Sequence, residues 1–383
     1  MKIGLIGAGR LGICLAILIE EAGYEVLVSD IRDSYVKDLQ NNKITTNEPE
    51  VQFLLNNQEN LRVTTNNLEV IKECDIIYTL VATPSNKDGS YNVDSVWKVV
   101  EDFKRVDVTG KSLVIGCTTN PGDCIQFQES LSDYGVDVFY NPEFIAQGSI
   151  INDLRHADMV LIGGYGHHVS VIEEIYRSIQ VTQPEIYTMS LTAAELVKMA
   201  VNCYLTTKIS FANMVGEVLT LNNMEDEIDN VLNAIGADSR IGTKYLGYGY
   251  GFGGPCLPRD NRAWAHAARK VGLKHNLGFT TDEFNEEHAE FLKNYFIKCN
   301  PDKSVPFYFE HISYKQGSDI LTESQQYRLC KDLLFSGYTV YIKDIPDIIK
   351  QVSATFYDQF YDRVIFVDES TTIPSNIFNI NLS

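Results

Sequence analysis

The 383-residue chain lacks several patterns that would assign a function at once. Its eight cysteines and seven histidines include no Cys-x-x-Cys pair and no cluster at zinc spacing, which argues against a structural zinc site. No run of about 18 uninterrupted apolar residues occurs, so we expect no transmembrane helix. The first residues already read as a strand, so we expect no secretory signal and a cytoplasmic protein with reduced thiols.

Basic residues are also scarce, with 32 Lys and Arg against 51 Asp and Glu and a formal net charge of −19. This balance argues against nucleic acid or an anionic membrane as a partner, because phosphate binding needs clustered cations. An anionic ligand would have to be held by a few local cations and backbone N–H groups. The length favours two or three domains, and 44% hydrophobic residues is ordinary for a soluble enzyme.

A glycine motif opens the chain between a predicted strand at 2–7 and a predicted helix at 10–22. It matches G-x-G-x-x-G, in which the first glycine allows a tight turn, the second lets a pyrophosphate approach the backbone, and the third lets helix pack on strand. The motif therefore predicts a dinucleotide site. Its residues are Gly7, Gly9, Arg10, Leu11 and Gly12.

The preferred dinucleotide is indicated by Asp30, at the end of the second predicted strand. A carboxylate there accepts from both ribose hydroxyls and repels a 2′-phosphate, so NAD is favoured over NADP. Arg32 leaves NADP open, because its guanidinium could hold a 2′-phosphate. FAD is a further alternative that no other segment supports.

Predicted strands and helices alternate through the first half and return after residue 300, which predicts an α/β fold. We expect two Rossmann-like doubly wound domains joined by a long central helix, the C-terminal one smaller and divergent. The predicted domains are an NAD-binding domain at 1–190, a central helical dimerisation and substrate domain at 191–300, and a small substrate-binding domain at 301–383. The polar tail from residue 371 is expected to fray.

Residues 193–222 carry apolar side chains at helical spacing over about 30 residues, well beyond the usual helix. Two interpretations remain open. One long helix could bridge two domains or build a dimer interface, or two shorter helices could meet at a kink near Gly216.

The cysteine that stands apart is Cys256, which follows a glycine-rich loop at 244–254 and precedes Asp260 by four residues. A loop-borne thiol far from a dinucleotide motif suggests more than one alcohol oxidation, because a thiol can capture an aldehyde and carry it to a thioester. The glycines predict a mobile loop. By contrast, Cys14, Cys203 and Cys330 fall in helical patterns and are predicted to be small core residues.

Taken together, several segments resemble the nucleotide-sugar dehydrogenases, the UDP-glucose/GDP-mannose dehydrogenase family, and most of all its UDP-glucose 6-dehydrogenases. The resemblance covers roughly residues 1–300 well and the remainder loosely. Its most specific part is the G-F-G-G-x-C-L-P-[KR]-D run. The segments that carry it are residues 7–12, 81–84, 118–121, 141–148, 194–202 and 251–260.

The resemblance implies a four-electron oxidation of a sugar C6 alcohol to a carboxylate with two NAD. Cys256 would be the nucleophile that traps the aldehyde as a thiohemiacetal, and a second oxidation would give a thioester that water cleaves. Asp260 would activate or orient that water, with Thr119 beside it.

The other implied catalytic residues are Lys198, Asn202 and Glu143. Lys198 would stabilise the developing oxyanion, Asn202 would hold the sugar or that oxygen, and Glu143 would lie near the reacting centre. Independently of the resemblance, Lys198 and Asn202 are four residues apart and share a helix face. A cation near the thiol would also lower its pKa.

Further residues take binding roles by resemblance. Thr83, Thr119 and Arg259 would contact the cofactor. Arg240 would reach the site of a partner subunit, so a homodimer is expected, and Tyr245 would line the sugar-nucleotide pocket. The implied substrate-binding residues are Glu143, Gln147, Lys198, Asn202, Arg240, Tyr245, Gly253 and Lys315.

The chain departs from the family pattern at three positions. Gln147 stands where a second glutamate is usual, which keeps hydrogen bonding and loses acid–base capacity. Met159 and Thr322 each stand where an arginine is usual, and an arginine's charge and paired donors are absent there.

UDP-glucose, oxidised to UDP-glucuronate, is the expected substrate. The alternatives are UDP-N-acetylhexosamine or GDP-mannose, a catalytically weakened nucleotide-sugar binder, and a β-hydroxyacid dehydrogenase. The last shares the glycine motif and a lysine on a long helix, but a single oxidation has no use for Cys256.

Overall fold

The structure is a computed structural model that describes residues 1–380 and 382. It divides the chain into two compact units, Met1–Met199 and Ala200–Ser383. The three-domain division expected from the sequence stays a prediction.

The first unit is built on a sheet whose described strands follow the order β3-β2-β1-β4-β5-β6-β7-β8. Neighbouring strands pair in parallel except β6 and β7, which meet antiparallel at Tyr140 and Gly163. This order is that of a doubly wound sheet, so the predicted α/β class is confirmed. The strands are β1 Lys2–Ile6, β2 Glu25–Ser29, β3 Leu61–Thr64, β4 Ile76–Thr79, β5 Ser112–Ile115, β6 Asp137–Tyr140, β7 Met159–Gly163 and β8 Glu185–Met189.

Helices cover this sheet and enclose two apolar clusters, which include Leu5 and Val28 in one and Ile6 and Leu27 in the other. Adjacent strand residues thus enter different clusters, as the period of two requires. The helices are α1 Arg10–Glu21, α2 Asp33–Gln40, α3 Val51–Leu55, α4 Asn67–Glu73, α5 Asp94–Phe103, α6 Asp123–Leu131, α7 Ile150–Arg155 and α8 Val169–Ile179, with a 3₁₀ turn at Ser132–Tyr134.

The long helix predicted near residue 193 is a single helix, α9 Leu191–Leu221, and the unit boundary falls within it. The alternative of a kink at Gly216 is wrong. A Cβ at Gly216 would lie 2.0 Å from the Tyr248 ring, so this glycine admits an aromatic ring against the helix.

The second unit contains a smaller parallel sheet with the described strand order β11-β10-β9-β12. Its strands are β9 Phe307–Phe309, β10 Val340–Ile342, β11 Val364–Phe366 and β12 Phe378–Asn379. Its further helices are α10 Ile228–Gly236, α11 Leu257–Lys270, α12 Leu277–Cys299, α13 Gln325–Phe335 and α14 Pro346–Phe360, with a 3₁₀ turn at Glu225–Glu227.

The expectation that the tail frays from residue 371 is wrong at Phe378. This residue pairs with Phe307 of β9, and the two ring centroids lie 5.4 Å apart. The half-buried ring of Phe378 and its main-chain pairing with β9 hold this short strand on the sheet edge.

The part of the chain that the structure describes shows no membrane-spanning helix, no metal-binding cluster and no disulfide. No helix among residues 1–380 and 382 has the length and apolar character needed to cross a membrane. The same residues contain no group of three or more side chains suited to hold a metal ion. No disulfide joins any of the eight cysteines, all of them described, and Cys14, Cys203 and Cys330 are buried as predicted.

Candidate active site

The glycine motif has the geometry that its three glycines predict. Gly7 has φ +103°, and a Cβ at Gly12 would lie 2.0 Å from the Gly7 carbonyl oxygen, so both positions exclude larger residues. Around Gly9, the residue before α1, an added Cβ would meet no described atom within 4 Å. This open space beside a helix N-terminus fits a pyrophosphate.

Asp30 follows β2 and is 8% exposed. Its Oδ2 accepts from Ala8 N at 3.0 Å and from Arg32 Nη2 at 2.9 Å, and its Oδ1 accepts from Arg32 N at 3.0 Å and Nε at 2.8 Å. Burial raises the pKa of Asp30, but the bonds from Arg32 and Ala8 outweigh it and lower the pKa overall. The ionised carboxylate suits ribose hydroxyls, and Arg32 must share it with them.

Lys198 and Glu143 meet within the first unit. Lys198 Nζ donates to the Glu143 backbone carbonyl at 2.6 Å and lies 4.6 Å from the centroid of the Phe144 ring. The Glu143 carboxylate accepts from the Tyr176 hydroxyl. Burial raises the pKa of Glu143 to about 7, against the lowering effects of the Tyr176 hydrogen bond and the Lys198 charge. Glu143 is therefore a group that exchanges a proton near neutrality.

The Thr119 side chain is fully buried, and its hydroxyl donates to Glu195 Oε1 at 2.8 Å. Glu195 also accepts from Cys124 N at 2.9 Å and Gly122 N at 2.7 Å, at the start of α6. Burial raises the pKa of Glu195, and these hydrogen bonds lower it in part. Glu195 thus fastens the segment after β5 to α9, three residues before Lys198.

Two further positions singled out from the sequence, Thr83 and Gln147, lie in loops after strands, and a third, Met159, lies within a strand. Thr83 follows β4 and is 4% exposed. Gln147 is half-buried in the loop after Glu143, and the next residue, Gly148, donates its N–H to Glu48 Oε1 at 2.8 Å. Met159 is the first residue of β7.

In the second unit, Cys256 is the residue directly before α11, and Asp260 lies one turn into that helix. Asp260 is 1% exposed and its Oδ2 accepts from Asn202 Nδ2 at 2.6 Å. Arg259 Nε lies 3.7 Å from Asp260 Oδ1. Asn202 and Asp260, assigned separately from the sequence, are therefore direct partners, and a thiol at a helix N-terminus is in a setting that favours the thiolate.

The predicted substrate residues of this unit are less closely grouped. The Arg240 side chain is 86% exposed, and its Nη2 lies 2.6 Å from Asp238 Oδ2. Tyr245 is 51% exposed with φ +61°. Lys315 is exposed in the segment after β9, and Gly253 packs tightly, since a Cβ there would lie 2.4 Å from the Glu323 carbonyl oxygen.

Sequence reasoning assigned no role to several residues that build this site. They share buried or half-buried polar side chains that bind main-chain groups or other site residues: Glu48, Tyr176, Glu195, Asn213, Asn285 and His288. Glu195 had one available signal, its place in the same helical pattern as Lys198. The others are polar residues of common types, and their hydrogen-bond partners lie far away in sequence.

Comparison with known proteins agrees with this geometry. The UDP-glucose/GDP-mannose dehydrogenase family, NAD binding domain, matches residues 1–180, and the central domain of the same family matches residues 192–287. The chain therefore belongs to the UDP-glucose/GDP-mannose dehydrogenase family, the class of nucleotide-sugar dehydrogenases, and its cofactor is NAD.

Individual relatives agree in fold and differ in named substrate. The chain is 28% identical over 380 residues to the putative UDP-glucose 6-dehydrogenase YtcA of Bacillus subtilis, covering 95% of this chain and 87% of the relative. A UDP-glucose dehydrogenase structure from Pyrobaculum islandicum is 25% identical with a TM-score of 0.84, covering 96% and 86% of the two chains. A UDP-D-ManNAc dehydrogenase structure from Pyrococcus horikoshii, 20% identical, has the same fold with a TM-score of 0.78 and coverage of 99% and 98%.

Proposed function

We propose that this protein oxidises the C6 alcohol of UDP-glucose to the carboxylate of UDP-glucuronate in two steps, with Cys256 as the covalent nucleophile. The observation that carries this proposal is the position of Cys256 directly before α11, one turn from the buried Asp260 and its hydrogen-bond partner Asn202. An enzyme that stops at the aldehyde has no need of such a thiol.

NAD, when bound, accepts the electron pair at each of the two oxidations. The residues that would hold it are those of the glycine motif for the pyrophosphate and Asp30 for a ribose. The space beside Gly9 and the ionised carboxylate of Asp30 support this assignment.

The protein residues do the remaining chemistry. The Cys256 sulfur adds to the aldehyde carbon to form a thiohemiacetal, whose oxidation gives a thioester. Water adds to the thioester carbonyl, the C–S bond breaks, and the products are the carboxylate and the restored thiol. Lys198 stabilises the oxyanion of each tetrahedral species, and Asn202 and Asp260 orient the oxygen and the water.

Glu143 serves as the proton acceptor in hydrolysis. Its pKa of about 7 leaves a useful fraction ionised at neutral pH, and the base strength is then well matched to the task. The Gln147 amide neither takes up nor releases a proton near neutral pH, so we assign Gln147 a hydrogen-bonding role only.

The substrate is proposed as UDP-glucose because YtcA and the Pyrobaculum protein carry that substrate in their names. A UDP-N-acetylhexosamine is the second candidate, favoured by the named substrate of the Pyrococcus structure. In both cases Arg240 and Lys315 are the cations that we propose for the diphosphate, against a net charge of −19.

The decisive experiment measures NADH formed per sugar, with limiting UDP-glucose and excess NAD, beside parallel reactions with UDP-N-acetylglucosamine and GDP-mannose. We expect two NADH per UDP-glucose. Cys256→Ser should lose the second NADH, because an alkoxide is a poorer trap and a poorer leaving group than a thiolate. Two NADH from Cys256→Ser would overturn the thioester route, and binding without any NADH would identify a nucleotide-sugar binder.

A further inference from the structure

The glycine segment, defined here as residues 248–254, is held along its main chain by buried side chains of α9 and α12. The Asn213 side chain of α9 is fully buried, and its Oδ1 accepts from Gly249 N at 3.0 Å while its Nδ2 donates to Tyr250 O at 3.2 Å. One amide thus satisfies a donor and an acceptor of the segment.

A second contact comes from His288 of α12, whose side chain is also fully buried. Its Nε2 lies 2.8 Å from the Gly249 carbonyl oxygen, and its Nδ1 lies 2.6 Å from Glu217 Oε1 of α9. Because a carbonyl only accepts, Nε2 carries the hydrogen in this bond. His288 therefore joins α9, α12 and the glycine segment at one point.

A third contact is made by Asn285, one turn before His288 and 4% exposed. Its Nδ2 donates to the Phe252 carbonyl at 3.0 Å. A Cβ at Gly251 would lie 2.1 Å from Asn285 Oδ1, so Asn285 reaches its partner only because residue 251 is glycine.

The last two glycines of the segment are also required by close packing. A Cβ at Gly253 would lie 2.4 Å from the Glu323 carbonyl oxygen, and a Cβ at Gly254 would lie 2.5 Å from the Tyr314 ring, at a φ of +80°. These contacts give the glycines of the segment a packing role, and the mobile loop expected at 244–254 stays a prediction. Here glycine permits close approach and fixed hydrogen bonds.

The segment ends two residues before Cys256, the residue that precedes α11. Its path therefore decides from which direction the chain enters that helix. We propose that Asn213, Asn285 and His288 are positioning residues that fix the Cys256 thiol at the N-terminus of α11. This role rests on the proposed function of Cys256 and adds residues that the glycine-rich motif itself does not contain.

Buried amide and imidazole groups suit this role better than apolar side chains would. A buried hydrogen bond specifies the distance and direction between its two partners, whereas an apolar contact has no preferred direction. The three side chains, which come from two helices, together fix the main-chain path of a segment of only seven residues.

The test compares Asn285→Asp with Asn276→Ala. Asp keeps the shape of Asn285 and turns its donor into an acceptor facing the Phe252 carbonyl. Asn276 caps the same helix α12 by accepting from Phe279 N at 2.8 Å, so Asn276→Ala removes one side-chain hydrogen bond at the N-terminus of that helix and serves as the matched control.

The readout is the iodoacetamide alkylation rate at Cys256, resolved by peptide mass spectrometry, with the exposed Cys299 as internal reference. Asn285→Asp should slow alkylation of Cys256 relative to Cys299 by about tenfold at pH 7, because a thiol displaced from the helix terminus loses thiolate character. The value of kcat should fall by a similar factor. Asn276→Ala should leave both within about twofold.

A graded series adds a rescue. His288→Gln keeps a side-chain donor for the Gly249 carbonyl and should retain more of the Cys256 reactivity than His288→Leu. An unchanged or faster rate at Cys256 in Asn285→Asp, or equal losses in Asn276→Ala, would overturn the positioning role. Because alkylation needs no turnover, a wild-type protein that forms no NADH would refute the proposed function and still leave this comparison decisive.

Discussion

Tyr176 is the residue through which the proton affinity of Glu143 can be tested. The groups that act on the Glu143 carboxylate are the Tyr176 hydroxyl, which donates to it, and the Lys198 charge, while burial opposes both. The Glu143 carboxylate in turn raises the pKa of the buried Tyr78 and Tyr176 hydroxyls, for which burial is the larger cause. Removing the Tyr176 hydroxyl removes a stabiliser of the ionised form, so the pKa of Glu143 should rise further.

In Tyr176→Phe, we therefore expect the rising limb of the kcat/KM profile, near pH 7 in the wild type, to move up by roughly one pH unit. Glu143→Gln should abolish that limb. The pKa of Glu143 is higher in the folded protein than its ordinary value of 4.5, so folding favours the protonated carboxyl. The stability that this group contributes is therefore fully present below about pH 4.5 and is lost as the pH rises through about 7. A limb in Tyr176→Phe that stays in place would show that another group titrates there.

The role of Thr119, in stability or in catalysis, can be tested because its hydroxyl donates a hydrogen bond to buried Glu195. Thr119→Val should lower the free energy of unfolding by about 1–3 kcal/mol, since it leaves a buried carboxylate oxygen short of a donor. Urea denaturation measures this loss, with Thr118→Val as the neighbouring control. A stable Thr119→Val that loses only turnover would assign the hydroxyl to catalysis alone.

Single residues were predictable from sequence where the chemistry depends on a local pattern. Gly7 and Gly12 could be assigned in this way because their neighbours in sequence are also their neighbours in space, whereas the role of Cys256 stays a prediction. Glu195 and Asn285 could not, because Glu195 meets Cys124 across 71 residues and Asn285 meets Phe252 across 33. The residue type alone does not distinguish a buried glutamate that accepts main-chain hydrogen bonds from an exposed one.

At the scale of elements, Gly216 decides how the glycine segment packs on α9. A Gly-to-Ala change inside a helix usually stabilises by about 1 kcal/mol. Here we expect the opposite, because the new Cβ would lie 2.0 Å from the Tyr248 ring. Gly216→Ala should therefore destabilise the protein by about 1–3 kcal/mol, measured by denaturant unfolding.

The control is to make Gly216→Ala in a protein that already carries Tyr248→Ala, because the obstructing ring is absent there. There, Gly216→Ala should become neutral or stabilising, and the difference between the two backgrounds measures the steric term. Equal effects in both backgrounds would mean that the ring is not the cause.

Elements were predicted best where the apolar pattern was long. The pattern at 193–222 gave α9 to within two residues at its start and one at its end. Helix α14 received no prediction, although Ile348, Val352, Phe356 and Phe360 recur every four residues and are all buried. Strand β12, two residues long, depends on its pairing with β9 and on one aromatic ring, which no local pattern reveals.

For the whole molecule, the composition excluded more than it identified. The net charge of −19 argues against phosphate-rich polymers as partners, yet it does not reveal that Lys198 is directed to the Glu143 carbonyl. The alternation of strands and helices predicts the parallel pairing found through most of the large sheet, but it does not determine the strand order. The division at Met199 falls within one continuous helix, and the residues next to Met199 include no glycine or proline that would mark it.

The assembly of the molecule is open to a direct test, because α9 exposes a row of large apolar side chains. Spaced three, four or seven residues apart on one face, they are Tyr204, Phe211, Met214, Val218 and Leu221, with exposed fractions of 62, 43, 45, 55 and 73%. A continuous apolar face of this kind favours burial against a partner, and a second copy of the same helix offers matching chemistry about a twofold axis.

We therefore expect a homodimer through α9, and Phe211→Glu/Val218→Glu should dissociate it, because paired carboxylates would face each other across the axis. Sedimentation velocity should show the mass halve at micromolar concentration. Phe335→Glu places the same charge on an aromatic position that is 68% exposed at the end of α13 and should leave the mass unchanged.

If Arg240 serves a partner's site, the dissociated variant should also lose affinity for the nucleotide sugar while keeping its NAD affinity. A charged variant that remains dimeric would place the interface elsewhere, and a monomeric wild type would leave Arg240 to act within its own chain.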